Sequence, residues 1–124
     1  MAMKLVYGPS QKNSNLWVID MSGDFEDFDR GYFVQCVENI LFDLSRPSVI
    51  AYNLKEITRM NHNVFGTLIG AHAHANRKGV KDYIVEPRGD IKGLIQRLGI
   101  DIKIPITSID NILLELEAKK VQPQ

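Results

Sequence analysis

Three histidines lie within thirteen residues of one another, and their spacing decides whether they could hold a metal ion: His62, His72 and His74. Residues two apart on an α-helix point about 200° from each other, so His72 and His74 cannot bind one ion together. His72 falls on the apolar stripe of a predicted helix, which predicts a partly buried, hydrogen-bonded side chain, whereas His74 is predicted to face solvent. The spacing therefore predicts no metal site.

A cluster of acidic residues at positions 24–29 could suggest a calcium-binding loop. Counted from Asp24, the sixth position is Asp29, where such a loop needs glycine, and the twelfth is Gln35, where it needs glutamate. The pattern excludes an EF-hand. It predicts a solvated loop that supplies negative charge to a helix start.

Residue patterns for nucleophilic or phosphate chemistry are missing from the sequence, which has no G-x-S-x-G, Walker or G-x-G-x-x-G motif. Cys36 lies on the apolar face of a predicted helix, which is typical of a small core residue. Gly66 and Gly70 are spaced to let a second helix approach its sheet closely. We therefore expect neither an enzyme nor a cofactor.

The segment 59–68 has the clearest functional potential. It is predicted as a loop after a buried strand at 49–52, leading directly into a helix. Parallel α/β sheets carry functional groups beyond the carboxyl ends of their strands, and free N–H groups at a helix start favour anions. Asn61 or Asn63 is predicted to cap this helix.

The elements that must position this segment follow from hydrophobic periodicity. Strands are predicted at 4–7, 16–21, 49–52, 83–85 and 102–106, and apolar helical stripes at 33–44, 64–75, 91–98 and 109–116. The order is ββαβαβαβα, an α/β fold with a mostly parallel mixed sheet of about five strands and about four helices. The first strand is expected to pair antiparallel through the turn that follows it.

Bulk composition limits the class of protein. The 124 residues predict a single domain, 1–124, with its core at about 16–118 and a polar tail at 119–124. Lys plus Arg and Asp plus Glu both number 15, which argues against a nucleic-acid partner. No apolar run approaches the ~18–20 residues of a membrane span, which argues against membrane insertion. The single cysteine favours a reducing compartment, so we expect a soluble, cytoplasmic protein.

Several short motifs, taken together, resemble the STAS domain, a family named for sulfate transporters and bacterial anti-sigma-factor antagonists. The resemblance runs from about Leu16 to Leu116. The motifs are a Gly23 turn, an apolar-Asn-Leu-x-x-Ile-x-x-Met run at 52–60, Gly66-Thr67-Leu68, Val85-x-Pro87, and Leu94 through Leu98-Gly99.

The resemblance implies a particular chemistry at the 59–68 segment. Antagonists of this family carry Asp-Ser-Ser/Thr-Gly-Leu there, and a partner kinase phosphorylates the first serine. By position, the aspartate becomes Asn61, the phosphoacceptor serine becomes His62, the next hydroxyl residue becomes Asn63 and the glycine becomes Val64. The usual serine switch is therefore expected to be absent, leaving Thr58 and Thr67 as alternative hydroxyl acceptors.

The function predicted from the sequence is a non-catalytic regulatory or adaptor protein that binds a protein partner through the 59–68 loop and the second helix. The predicted partner-binding residues are Arg59, Asn61, His62, Asn63, Val64, Phe65 and Thr67. The partner would be an anti-sigma factor or serine-kinase-like protein in bacterial partner switching and signal transduction, or a transporter subunit, and a homodimer is possible. The alternatives are a small-ligand or anion sensor and a STAS subunit of a lipid-transport ABC system.

Overall fold

A computed structural model describes residues 3 to 121, with side chains described to residue 119. It contains five strands, β1 (Met3–Pro9), β2 (Leu16–Phe25), β3 (Val49–Met60), β4 (Lys81–Val85) and β5 (Ile106–Thr107). Five α-helices follow the same chain order, α1 (Arg30–Phe42), α2 (His62–Arg77), α3 (Gly89–Arg97), α4 (Ile100–Lys103) and α5 (Ile109–Val121). The α/β class and the mixed sheet are confirmed, and the helix number is corrected from about four to five.

The sheet is built in the order of the chain, β1-β2-β3-β4-β5. β1 pairs antiparallel with β2, and all other neighbours are parallel. The main core joins one face of the sheet to α1, α2, α3 and α4. A smaller core lies on the opposite face beneath α5 and consists of Leu16, Val49, Ala51, Val85, Ile112 and Leu116. The described elements therefore form three layers.

Three aromatic rings occupy the centre of the main core. The Phe33 ring lies 5.4 Å from that of Phe25 and 5.8 Å from that of Tyr52, measured between centroids. All three side chains are fully buried. They join α1 to the two central strands β2 and β3, at tilted angles that aromatic pairs favour.

The strand predicted at 102–106 is wrong over most of its length. Residues 100–103 form α4, and only Ile106 and Thr107 pair with β4. Ile100 and Ile104 are buried whereas Ile102 is 84% exposed, which is the four-residue repeat of a helix rather than an alternating strand. The alternating isoleucines at positions 102, 104 and 106 had suggested the two-residue period of a strand.

The two central strands are longer than predicted, so residues 53–60 are strand and not loop. β2 reaches Phe25 and β3 reaches Met60. Gly23 does not end its strand; it has a φ of 91° beside one of two register shifts between β2 and β3. These irregularities break the period-two pattern, because an extra residue moves the following side chains to the other face.

The chain beyond the α5 core is only partly described. α5 continues to Val121, so the first residues of the predicted polar tail, 119–124, are helical and the rest lie outside the described residues. Between residues 3 and 121, no helix combines the length and apolar character that crossing a membrane requires.

The predicted close approach of α2 to the sheet at its two glycines is not found. Gly66 and Gly70 are exposed, and a Cβ atom added to either would meet nothing within 4 Å. The close-approach interpretation is therefore wrong. Both glycines leave backbone of α2 exposed to solvent.

We expect Gly66→Ala to raise the free energy of unfolding by about 0.5 to 1 kcal/mol, because alanine restricts the unfolded chain and suits a helix interior. Chemical denaturation measures this change. Gly79→Ala is the matched control: Gly79 has a φ of 74°, so alanine there should destabilise instead. A loss of stability in Gly66→Ala would contradict the open space seen around this residue.

Candidate functional site

The carboxyl ends of β2 and β3 lie side by side and bring two helix starts together. Phe25, at the end of β2, pairs with Met60, at the end of β3. The backbone N–H of Asn61 donates to the carbonyl oxygen of Phe25 at 2.9 Å. β2 leads through a single 3-10 turn (Asp27–Asp29) into α1, and β3 leads directly into α2. This edge is the one that the sequence singled out.

Asn61 caps α2, which confirms the predicted cap. Its side-chain oxygen accepts a hydrogen bond from the backbone N–H of Asn63 at 3.0 Å. The side-chain amide of Asn63 in turn donates to a carboxylate oxygen of Asp27 at 3.2 Å. The two asparagines thus fix the start of α2 and tie it to the turn before α1.

Residues 59–68 form a strand end and a helix start instead of the predicted loop. Arg59, His62 and Asn63 are exposed, and Asn61 is half-buried. The His62 ring lies edge-on to the Phe65 ring, with 6.3 Å between centroids.

The other predicted site residues face inward. Val64 is fully buried, Phe65 is 3% exposed, and both belong to the main core. Thr67 is 8% exposed, and its hydroxyl oxygen accepts a hydrogen bond from Arg30 Nε at 2.8 Å. These three side chains pack inside the protein, so in this conformation little of their surface is open to a partner.

The two threonines considered as alternative acceptors differ in access. Thr67 is buried, as described above, whereas Thr58 is exposed on β3. The Thr58 hydroxyl donates to Asp24 Oδ1 at 2.6 Å. Of the two, only Thr58 presents its hydroxyl at the surface.

Two exposed aromatic residues beside this edge were missed at the sequence level. Phe28 is 75% exposed and Tyr32 is 56% exposed. Phe28 directly follows Asp27, the residue bonded to Asn63, so it adjoins the α2 start. Large aromatic side chains are enriched in protein interfaces. The acidic 24–29 segment contains two aromatic residues, and its sequence does not show that Phe25 is buried whereas Phe28 is exposed.

The turn after β4 brings a third helix start towards this edge. Arg88 precedes α3, and its Nη1 donates to the Thr58 carbonyl oxygen at 3.5 Å. Glu86, two residues earlier, has a φ of 47°, a left-handed conformation that non-glycine residues adopt rarely and at a cost. Such strained positions cluster at functional sites.

The remaining candidate residues lie away from this edge. The predicted hydrogen bond of His72 is confirmed, because its Nδ1 lies 2.7 Å from Asp82 Oδ1. His74 is half-exposed. Within residues 3–121, no three His, Cys, Asp or Glu side chains gather in an arrangement that could hold a metal ion. Cys36 is buried, and its burial raises the pKa of the thiol to about 12.

The fold resembles solved structures over nearly its whole length. An anti-sigma factor antagonist from Mycobacterium paratuberculosis superposes with a TM-score of 0.78 at 13% identity, covering 94% of this chain and 95% of that one. The Bacillus antagonist SpoIIAA, in its unphosphorylated form, gives 0.74 at 12% identity, with 94% and 97% covered. The STAS domain of a SulP transporter from Vibrio cholerae gives 0.61 at 15% identity, with 77% and 76% covered.

This chain has the STAS fold. At these identities the likeness establishes architecture alone. No protein-family model matches the sequence, and no curated protein matches it significantly.

The STAS fold gives the predicted segment a definite place. His62 is the first residue of α2, and by the sequence resemblance it stands where antagonists of the STAS family carry the phosphorylated serine. Its ring is at the surface. The N-cap of α2 is Asn61, and the first turn of α2 contains no acidic residue.

Proposed function

We propose that this chain is a non-catalytic regulatory or adaptor protein that binds a protein partner through the start of α2. We name this region the α2-start surface and define it as Phe28, Arg59, His62 and Asn63. The observation that carries the proposal is the STAS fold with these four side chains exposed at the carboxyl edge of its sheet.

The composition of the α2-start surface supports protein binding. It combines an exposed aromatic ring, an arginine, an imidazole and an amide, the mixture of anchor and polar groups found in interfaces. The inward-facing residues Val64, Phe65 and Thr67 support it by fixing α2 in place. Their contribution to binding would be indirect.

The proposed mechanism does not include a serine switch. His62 offers an imidazole instead of a hydroxyl, so a serine kinase has no acceptor atom there. Exposed Thr58 is a poor substitute, because its hydroxyl already donates to Asp24 and a phosphate would face that carboxylate. We therefore propose that binding is constitutive, or controlled by something other than phosphorylation at this edge.

Two kinds of protein partner fit this proposal. The likeness to anti-sigma factor antagonists favours an anti-sigma factor or a serine-kinase-like protein in the cytoplasm. The likeness to the STAS domain of a SulP transporter favours a transporter subunit. A STAS subunit of a lipid-transport ABC system is a further form of this proposal.

The decisive test is affinity capture with matched surface variants. We expect Phe28→Ala and His62→Glu each to weaken partner binding about tenfold or more, because anchors at an interface centre carry most of its energy. Binding to purified candidate partners is measured by calorimetry, and folding by circular dichroism. Both variants should keep their stability within about 0.5 kcal/mol.

The controls are Leu114→Ala, which is 67% exposed on α5, and Gln96→Glu, which is exposed on α3. Both should bind like the wild-type protein. If Phe28→Ala and His62→Glu retain every partner that the wild type captures, the α2-start surface is not the binding site.

A further inference from the structure

A second polar site lies at the other end of α2, in a groove of about 440 Å³. The groove is bounded by the second half of α2, the beginning of β4 and the turn between α4 and β5. β3 pairs with one edge of β4 along its whole length. On the opposite edge, β5 pairs with β4 only at Ile84 and Val85, so no described strand lies beside residues 81 to 83 there. The polar residues that line this opening are His72, Asn76, Lys81, Asp82, Tyr83 and Lys103.

A chain of hydrogen bonds runs from the core to this groove. The Tyr52 hydroxyl donates to Asp82 Oδ2 at 2.8 Å, and His72 Nδ1 lies 2.7 Å from Asp82 Oδ1. Burial, and then the neighbouring Asp82, raise the pKa of Tyr52 well above its usual 10.0, so its hydroxyl remains a donor. An ionised carboxylate only accepts hydrogen bonds, so His72 Nδ1 is the donor to it.

This geometry fixes the His72 ring and leaves its other nitrogen available. The Asp82 side chain is 2% exposed, whereas that of His72 is 24% exposed. Among the described residues, Nε2 of His72 has no hydrogen-bond partner. A carboxylate that holds one imidazole nitrogen in this way orients the second nitrogen for a ligand.

Stability alone does not explain the buried carboxylate. An apolar pair of the same volume is often as stable as a buried ionic one, or more so. Both oxygens of Asp82 form hydrogen bonds within the protein. The groups that remain available to an anion in the groove are the imidazole and two lysines. Lys81 and Lys103 are exposed at its rim.

We propose that this groove binds a small phosphate-class anion, either inorganic phosphate or the phosphate group of a small phosphomonoester, between His72 Nε2, Lys81 and Lys103. The two ammonium groups supply the charge, and Nε2 supplies a hydrogen-bonding atom whose position is fixed by the bond from Nδ1 to Asp82.

Other uses of the His72 and Asp82 pair fit less well. A metal ion would need further ligands, and no group of three forms among the described residues. A general base would need a nucleophile to activate, yet the groove lining contains no serine, threonine or cysteine side chain. Anion binding uses both lysines of the groove and the imidazole that Asp82 orients.

The test is titration of the full chain with inorganic phosphate, pyrophosphate and glycerol phosphate, with chloride at equal ionic strength as the blank. Calorimetry measures affinity, and NMR of the imidazole nitrogens reports on His72 directly. We expect Lys103→Met to weaken phosphate binding about three- to fivefold. We expect His72→Gln to weaken it as well, because glutamine does not place a polar nitrogen where Asp82 holds Nε2.

Matched variants separate this site from its surroundings. His74→Gln changes the other histidine of α2, which lines the groove between α1 and α2, and Lys92→Met removes an exposed charge from α3. Both should bind like the wild type. The groove contains no residue of the α2-start surface, so a failure of phosphate binding leaves the proposed function standing. Absence of phosphate binding, or binding equal in Lys103→Met, His72→Gln and wild type, would overturn the proposal. The tightest of the three probes identifies the source of the phosphate group.

Discussion

Phe33→Ala is expected to lower the free energy of unfolding by about 3 to 5 kcal/mol, the usual cost of removing a buried phenyl ring. Phe33 is fully buried and contacts the rings of both Phe25 and Tyr52. The vacated volume cannot collapse easily, because those rings belong to two paired central strands. A domain of this size is stable by only about 5 to 15 kcal/mol, so the variant should unfold at a far lower urea concentration.

The control is Phe42→Ala in the same helix. The Phe42 ring is 66% exposed, and its only described aromatic interaction is with Lys78 Nζ, 4.7 Å from the centroid. We expect a loss of less than about 1 kcal/mol. A similar loss in both variants would contradict the placement of the aromatic core.

Alkaline pH is expected to destabilise the protein from about pH 9 upward. Burial raises the pKa of Cys36 from 9.0 to about 12. The unfolded thiol loses its proton above pH 9 whereas the folded thiol retains it, so this stabilisation is complete below pH 9 and is lost as the pH approaches 12. The rise corresponds to roughly 4 kcal/mol. Denaturant midpoints measured from pH 7 to pH 11 test this expectation.

Cys36→Ala separates the contribution of the thiol from other titrations. It should remove the decline between about pH 9 and pH 10, while the raised pKa of Tyr52 preserves a later decline above its usual value of 10.0. If the wild type and Cys36→Ala lose stability over the same pH range, the thiol is not the cause.

The sequence predicted the layers of the fold well because most buried stripes have a regular period. Cys36, Leu68 and Ile95 lie on helix faces where the 3.6-residue spacing placed them. The errors arose where the period changes. β2 and β3 continue through a register shift near Gly23, where the two-residue period is interrupted, and so end later than predicted. Ile102 was assigned to a strand because it alternates with the isoleucines at positions 104 and 106.

The predicted strand topology located the candidate site, but the spacing of residues in the sequence did not predict which of its side chains are exposed. The carboxyl edge of parallel strands was predicted, as was the Asn61 cap. Exposure was not, because Val64 and Phe65 look as suitable for binding in the sequence as Phe28 does. Only the packing of α2 against the sheet separates them. The hydrogen bonds from Tyr52 to Asp82 and on to His72 join residues up to 30 positions apart, which no local pattern reveals.

The agreement between strand order and chain order has a consequence for how the protein reaches its native state. No later strand has to be inserted between two strands that have already paired, so each pairing can form as soon as its next strand is available. Leu16, Val49 and Ala51 are the exception, because α5 covers them only after β4 and β5 have been added. During synthesis, that apolar patch stays uncovered longest and is the part of the chain that a chaperone would be expected to bind.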